Sequence, residues 1–344
     1  MPAEPLLLLT GGTGFVGRAL APHLQRTHRV VVLSRNDHPA VLRGDVSQPR
    51  LGLSADRYRD LQQSLTEIVH AAADIRFESP LAASRATNRE GTRHLLDLAR
   101  GCPHLRRFAY IGTVYVNGLR RGDFHEEPIP AGHGYINTYQ QSKHEAEALV
   151  LAAMSEIPAV IYRMSTVVAD SPLGVVSQFN YVHQLIRHLP ESPWPVIPGD
   201  PQTTLDLIDN QWATAALAHL FEHHFQPGSI RHLCAGPQGS LPILDAFRLG
   251  REALESLGAG PVHVPELVPP AEFHRYLALH PTSAMRGMAS VLSRFLPLLS
   301  LPNRYHNSLA SADLASSGLV RADVRDYFGK VVKYCVETNW GKTA

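Results

Sequence analysis

Short apolar runs alternate, through the first half of the chain, with segments whose apolar positions recur every three or four residues. Leu6 to Leu9, Arg29 to Leu33, Ile68 to Ala73, Phe108 to Gly112 and Val160 to Tyr162 are brief and largely apolar, the signature of buried strands. Between them, Thr87 to Arg100 and Ser142 to Met154 carry the spacing of helices lying on a sheet. Strand and helix alternating this way predict an α/β fold built on a doubly wound parallel sheet. Past about residue 170 the pattern loosens. Pro190, Pro193, Pro195, Pro198 and Pro201 mark an irregular connection before a helical stretch at Gln211 to His224. The organisation expected is a large domain over residues 1–235, with substrate-facing insertions from about 170, interleaved with a smaller, mainly helical substrate-binding region over residues 236–344.

Composition narrows the classes of function. Hydrophobic residues are 44% and charged residues 18% of the 344, ordinary for a globular chain. A formal net charge of +1, with no run of Lys and Arg, argues against nucleic acid as a partner. Cys102, Cys234 and Cys335 are odd in number and far apart, which points to a reducing cytoplasm rather than a disulfide framework. The Leu6 to Leu9 run lacks the basic flank and length of a signal segment. Met288 to Leu301 is apolar but broken by Arg294 and Pro297, and it falls short of the ~20 residues that a membrane span needs. Among nineteen histidines there is no His-Glu-x-x-His, so no metal is expected.

The chemistry begins directly after the first apolar run. Thr10-Gly11-Gly12-Thr13-Gly14-Phe15-Val16-Gly17 sits between a predicted strand and a predicted helix. In that setting glycines let the backbone turn sharply against a pyrophosphate, and the helix start favours its charge. The second strand ends Ser34-Arg35-Asn36. A guanidinium with two polar neighbours suits a 2′-phosphate, so NADP(H) is favoured over NAD(H).

Tyr139 and Lys143 lie four residues apart, hence on one helical face. A cation fixed beside a phenol is expected to bring its pKa down from about 10 toward the working range. Lys143 stands alone among the first 329 residues of a chain that has four lysines and twenty-eight arginines. Thr113, at the end of the Phe108 to Gly112 strand, is the hydroxyl placed to polarise a substrate oxygen. Together these residues predict an oxidoreductase with a Thr113, Tyr139, Lys143 catalytic set.

These motifs resemble the extended short-chain dehydrogenases/reductases, with their Rossmann fold, over most of the first 235 residues. The nearest likeness is to the thioester reductase and fatty acyl-CoA reductase branch, the male-sterility type of NAD-binding domain. Gly44-Asp45-Val46-Ser47-Gln48-Pro49-Arg50-Leu51-Gly52-Leu53-Ser54 and Val69-His70-Ala71-Ala72-Ala73 look like blocks of that family. So do Thr87-Asn88-Arg89-Glu90-Gly91-Thr92 and the stretches Ile111 to Gly118 and Tyr162 to Val167. The resemblance implies that Asp45 and Val46 sit at the adenine and that Ala71, Ala72 and Ala73 line the cofactor. It also implies that Asn88 supports the catalytic strand and that Met164, Ser165 and Val167 neighbour the nicotinamide. Gly112 stands where the family often has Ser, Met164 replaces a usual Pro, and the loop from Asn36 to Asp45 is short for the thioester branch.

The function expected is NADPH-dependent reduction of an acyl thioester, on coenzyme A or an acyl carrier protein, to an aldehyde or alcohol. Two alternatives stay open. One is a ketoreductase, dehydrogenase or epimerase acting on a sterol-like, sugar-nucleotide or secondary-metabolite substrate. The other is a non-enzymatic, NADP-sensing binding protein. A monomer or homodimer is expected.

Overall fold

A computed structural model describes residues 5–36, 41–190, 195–280 and 296–342. Seven strands form its central sheet: β1 (Leu6–Thr10), β2 (Arg29–Ser34), β3 (Val41–Arg43), β4 (Glu67–His70), β5 (Arg107–Thr113), β6 (Ala159–Met164) and β7 (Ile230–Leu233). They lie in the order β7-β6-β5-β4-β1-β2-β3, and every pairing is parallel. Chain order therefore reverses at β1, with β2 on one side and β4 on the other. At such a switch point the connections leave in opposite directions and open a crevice at the carboxyl ends of the strands.

The apolar run of β1 explains itself here. Leu8 packs on one face of the sheet with Ile68, Phe108 and Ile161, while Leu7 and Leu9 pack on the other with Val69, Ala109 and Val160. A central parallel strand is covered on both faces, so it shows no polar alternation. The first face carries α2 (Ala55–Ser64), α3 (Gly91–Arg100) and α4 (Thr138–Ala153), and the second carries α1 (Phe15–Leu24) and α5 (Asn210–His223). Pro22 falls in the last turn of α1, near enough to its end for the helix to run past it.

A third apolar cluster joins residues after β6 to the C-terminal part of the chain. Val168, Tyr181, Ile186 and Leu205 pack with Phe247 of α6 (Ile243–Ser256) and with Tyr327 and Phe328 of α7 (Val324–Glu337). No described helix is long and apolar enough to cross a membrane. Residues 288–295 of the apolar Met288 to Leu301 stretch lie outside the described residues.

Candidate active site

The glycine turn is set by close approach. Gly11 has φ +71°, and a Cβ there would lie 2.6 Å from the Ala72 nitrogen on the neighbouring strand's exit. At Gly17 a Cβ would lie 2.2 Å from the Gly11 carbonyl oxygen, so the first turn of α1 packs directly on the glycine turn. Gly14 is the N-cap and brings no side chain to the free N–H groups of the helix start. Around this turn runs a groove of about 290 Å³, lined by Gly11, Thr13 to Gly17, Ser34 to Asn36, Asp45, Val46 and Ala71 to Ala73. The Asp45 carboxylate is held by the Ser47 amide at 2.9 Å and the Ser47 hydroxyl at 2.8 Å.

Thr10, Gly12 and Asn88 are not among the residues that line this groove. Thr10 is buried; its hydroxyl pairs with His70 Nδ1 at 2.7 Å and accepts the Ala72 N–H at 3.3 Å, holding β1 to β4. Gly12 faces inward against the Val32 side chain. Asn88 is also buried, on a widened, π-type turn, Ala86–Glu90, just before α3. Its amide donates to the Asp74 carbonyl at 2.9 Å and to the Ser142 hydroxyl at 2.8 Å, and its carbonyl accepts the Asp74 N–H at 2.7 Å. It braces α4 and the loop after β4 rather than the catalytic strand. Thr10 and Asn88 act there through hydrogen bonds and Gly12 through packing.

The groove continues past Phe15, Val16, Ala71, Ala73, Ile75 and Gln178 into a pocket of about 190 Å³. Thr113, Tyr139, Lys143, Met164, Ser165 and Val167 all line that pocket. Asn137 caps α4 by accepting the Gln140 N–H at 3.0 Å, which places Tyr139 and Lys143 in the first two turns on one face. The Thr113 and Tyr139 side chains are hydrogen-bonded to each other, and Thr113 Oγ1 also accepts the Tyr115 N–H at 3.3 Å. Ser165 donates its hydroxyl to the Asp206 carbonyl at 2.7 Å.

The ionisation of this group differs from the sequence expectation. Burial pushes the Tyr139 phenol up to about 12, and its bond with Thr113 offsets only part of that rise. Burial also pulls Lys143 down to about 7, against the pull of Glu147 in the other direction. The ammonium donates to the Ile111 carbonyl at 2.8 Å and sits 4.2 Å from the Tyr110 ring centre. A cation that is itself desolvated and committed to a backbone carbonyl does not draw the phenol toward neutrality. Tyr139 therefore carries its proton at neutral pH.

Sequence reasoning missed the groups behind and beside this set. Glu147, a further four residues along the α4 face, is buried and bridged twice by Arg163 of β6, at 3.0 and 2.6 Å. Arg163 in turn meets His232 Nε2 of β7 at 3.1 Å. The signal was present: a carboxylate repeating the helical spacing, and an Arg inside an apolar strand. Beside Tyr139, the Phe77 ring stacks at 5.8 Å between centres and 26°, and Tyr115 and Tyr181 share a hydroxyl contact of 3.1 Å. Among the described residues no group of three metal-ligating side chains comes together.

The NAD-binding profile described as male sterility protein matches residues 34–217, more than half of the chain. The chain belongs to this family. It is thereby a nicotinamide-dependent oxidoreductase of the short-chain dehydrogenase/reductase type. A putative fatty acyl-CoA reductase of Drosophila melanogaster is 28% identical over 226 residues, covering 48% of this chain and 41% of that protein. A hybrid PKS-NRPS synthetase of Acremonium sp is 26% identical over 212 residues, covering 55% of this chain and 5% of the synthetase. The chain thus spans less than half the length of either relative. The crystal structure of the terminal R domain from the myxalamid PKS-NRPS pathway superposes with a TM-score of 0.80 at 24% identity, over 99% of this chain and 93% of that one. That R domain shares the architecture seen here, and the male sterility family match begins at Ser34, after the glycine turn.

Proposed function

We propose that this family member reduces an acyl thioester, carried on coenzyme A or a carrier protein, with NADPH as the hydride source. The observation that carries the reading is the joint placement of the Tyr139 phenol and the Thr113 hydroxyl at the end of a groove whose floor is a glycine turn with no room for a Cβ. That floor fits a pyrophosphate pressed against the backbone, and the exposed Arg35 at the groove's far end fits a 2′-phosphate.

A bound reduced nicotinamide supplies the hydride. Thr113 and Tyr139 donate hydrogen bonds to the substrate carbonyl oxygen and stabilise the charge that develops there as the carbonyl carbon becomes tetrahedral. Tyr139 can pass its proton to that oxygen, and Lys143, with a pKa of about 7, can balance the phenolate left behind. As the carbon–sulfur bond breaks, the oxygen returns that proton to the Tyr139 phenolate, which gives the aldehyde and a thiolate that takes up one proton from solvent as free thiol. The sum is one thioester, one NADPH and one proton consumed, and one aldehyde, one thiol and one NADP⁺ formed.

The relatives' printed names, an acyl-CoA reductase and a PKS-NRPS synthetase, support a thioester as the substrate class. Purified protein should consume NADPH with acyl-coenzyme A, acyl-carrier or acyl-cysteamine thioesters and release thiol in equal amount. Turnover of ketones or secondary alcohols with no thiol released would sink the reading.

A further inference from the structure

The 190 Å³ pocket at Tyr139 is smaller than the roughly 300–1,000 Å³ clefts that hold whole ligands, so a substrate must continue beyond it. It adjoins a groove of about 530 Å³ between residues 75–80 and residues 178–184, and the two spaces share Ile75, Phe77, Gln178, Asn180 and Tyr181 as walls. Phe77 stands at that junction. Its ring is stacked with Tyr139 on the catalytic side and with Tyr181 on the groove side, the latter at 6.2 Å and 27°.

We propose that Phe77 is the residue that selects the substrate, admitting an acyl thioester that is unbranched beside the carbonyl and excluding one that carries a branch or ring there; this rests on the thioester reading above. A carbonyl oxygen bonded to the Tyr139 hydroxyl has its substituents flanking the phenol, and one flank is occupied by the Phe77 ring. The chain on either side of Phe77 is tied down. Asp74 is bound both ways to Asn88, Arg76 is bridged to the Asp74 carboxylate at 2.8 Å, and the Ser79 carbonyl accepts the Thr138 hydroxyl at 2.8 Å. The facing wall is equally fixed. Asn180 donates to the Val167 carbonyl at 2.9 Å while it caps the turn that bears Tyr181, and the Tyr115 hydroxyl links Tyr181 to Thr166 at 3.1 and 2.7 Å. With both neighbours tied down, removing the ring leaves space rather than a collapsed wall.

The test compares Phe77→Ala, Phe77→Leu and Phe77→Trp with the wild type on paired substrates of equal carbon count, straight-chain and α-branched acyl-cysteamine thioesters, together with the corresponding aldehydes. In Phe77→Ala the branched-to-straight ratio of kcat/KM should rise at least about tenfold, the lower end of what one methylene discriminates in an apolar pocket. Phe77→Leu should give a smaller rise and Phe77→Trp a fall. A ratio is read because loss of the stack on Tyr139 lowers turnover of every substrate alike. If any variant that binds NADPH as tightly as the wild type keeps the wild-type ratio within about twofold, Phe77 does not select. If the wild type reduces the aldehydes but no thioester, the thioester reading fails, and the aldehyde ratios alone decide the role of Phe77.

Discussion

At one end of the crevice the protein presents backbone, and at the other it presents buried side chains. The glycine turn works by leaving matter out: Gly11 and Gly17 each stand within 2.6 Å of where a Cβ would strike another backbone atom. The other end works by burying polar and ionisable groups, with Thr113 4% exposed, Lys143 3%, and Glu147 and Arg163 fully enclosed behind them. The contrast teaches where each end is fragile. The first tolerates change in chemistry but not in volume, while the second tolerates change in volume but not in where protons reside.

The sharpest break of this comparison is Tyr139→Phe, which preserves the ring and its stack on Phe77 and deletes the hydroxyl that carries the proton. General acid catalysis contributes about 10²–10⁴-fold, so kcat should fall by that order while NADPH titrations stay unchanged. A weakened affinity of equal size would instead make the phenol a binding group. Next in size is Arg163→Met, which strands Glu147 in the interior. Removing one partner of a buried ion pair costs about 3–5 kcal/mol, and denaturant unfolding should show that loss.

Lys143 makes a pH-dependent statement. Its folded pKa, about 7, lies below the usual 10.5, so between those values the unfolded chain holds a proton that the folded chain does not. Stability from this group therefore rises as pH climbs from about 7 toward 10.5, by at most about 1.4 kcal/mol per pH unit for one proton. Lys143→Met should be more stable than the wild type near neutrality, with the gap closing as pH rises. A gap that widens with pH would mean that the ammonium is stabilised, not strained. On the backbone side, Gly17→Ala should cost about 1–3 kcal/mol as an overpacked position and weaken dinucleotide binding, whatever the pH.

The same contrast governs what was legible in the sequence. Glycines required by sterics announce themselves, and so did β1, whose unbroken Leu run could only be a strand covered on both faces. The edge strand β3 is three residues long, and β7 reads Ile-Arg-His-Leu, with its Arg and His buried through Asp313 at 2.6 Å and Arg163 at 3.1 Å. Polar residues buried by distant partners hide a strand from any apolar pattern. Thr113, Tyr139 and Lys143 were named from a chemical spacing, and the fold brings all three to one pocket. Their ionisation was not legible, since the depth of burial that raises Tyr139 and lowers Lys143 comes from contacts such as Phe77 and Tyr110 far away in the chain. Thr10, Gly12 and Asn88 come from motifs that name neighbours of the groove without saying which of them line it.

The smallest effect concerns the one place where the backbone end depends on a side chain. Arg35 is exposed at the rim of the groove beside Ser34, whose hydroxyl accepts the Asn36 N–H at 3.2 Å and so shapes the turn that presents the guanidinium. A glycine cradle that holds the pyrophosphate common to both nicotinamide dinucleotides would not tell them apart. Discrimination must come from a group that meets the 2′-phosphate, and a charge-assisted contact of this kind is worth about 1.5–3 kcal/mol. Arg35→Ala should therefore weaken NADPH by roughly tenfold to a hundredfold, leave NADH affinity where it was, and lessen the salt dependence of NADPH binding. If the substitution weakens both dinucleotides equally, Arg35 shapes the groove rather than reading the phosphate. Selectivity at that end would then belong to the backbone as well.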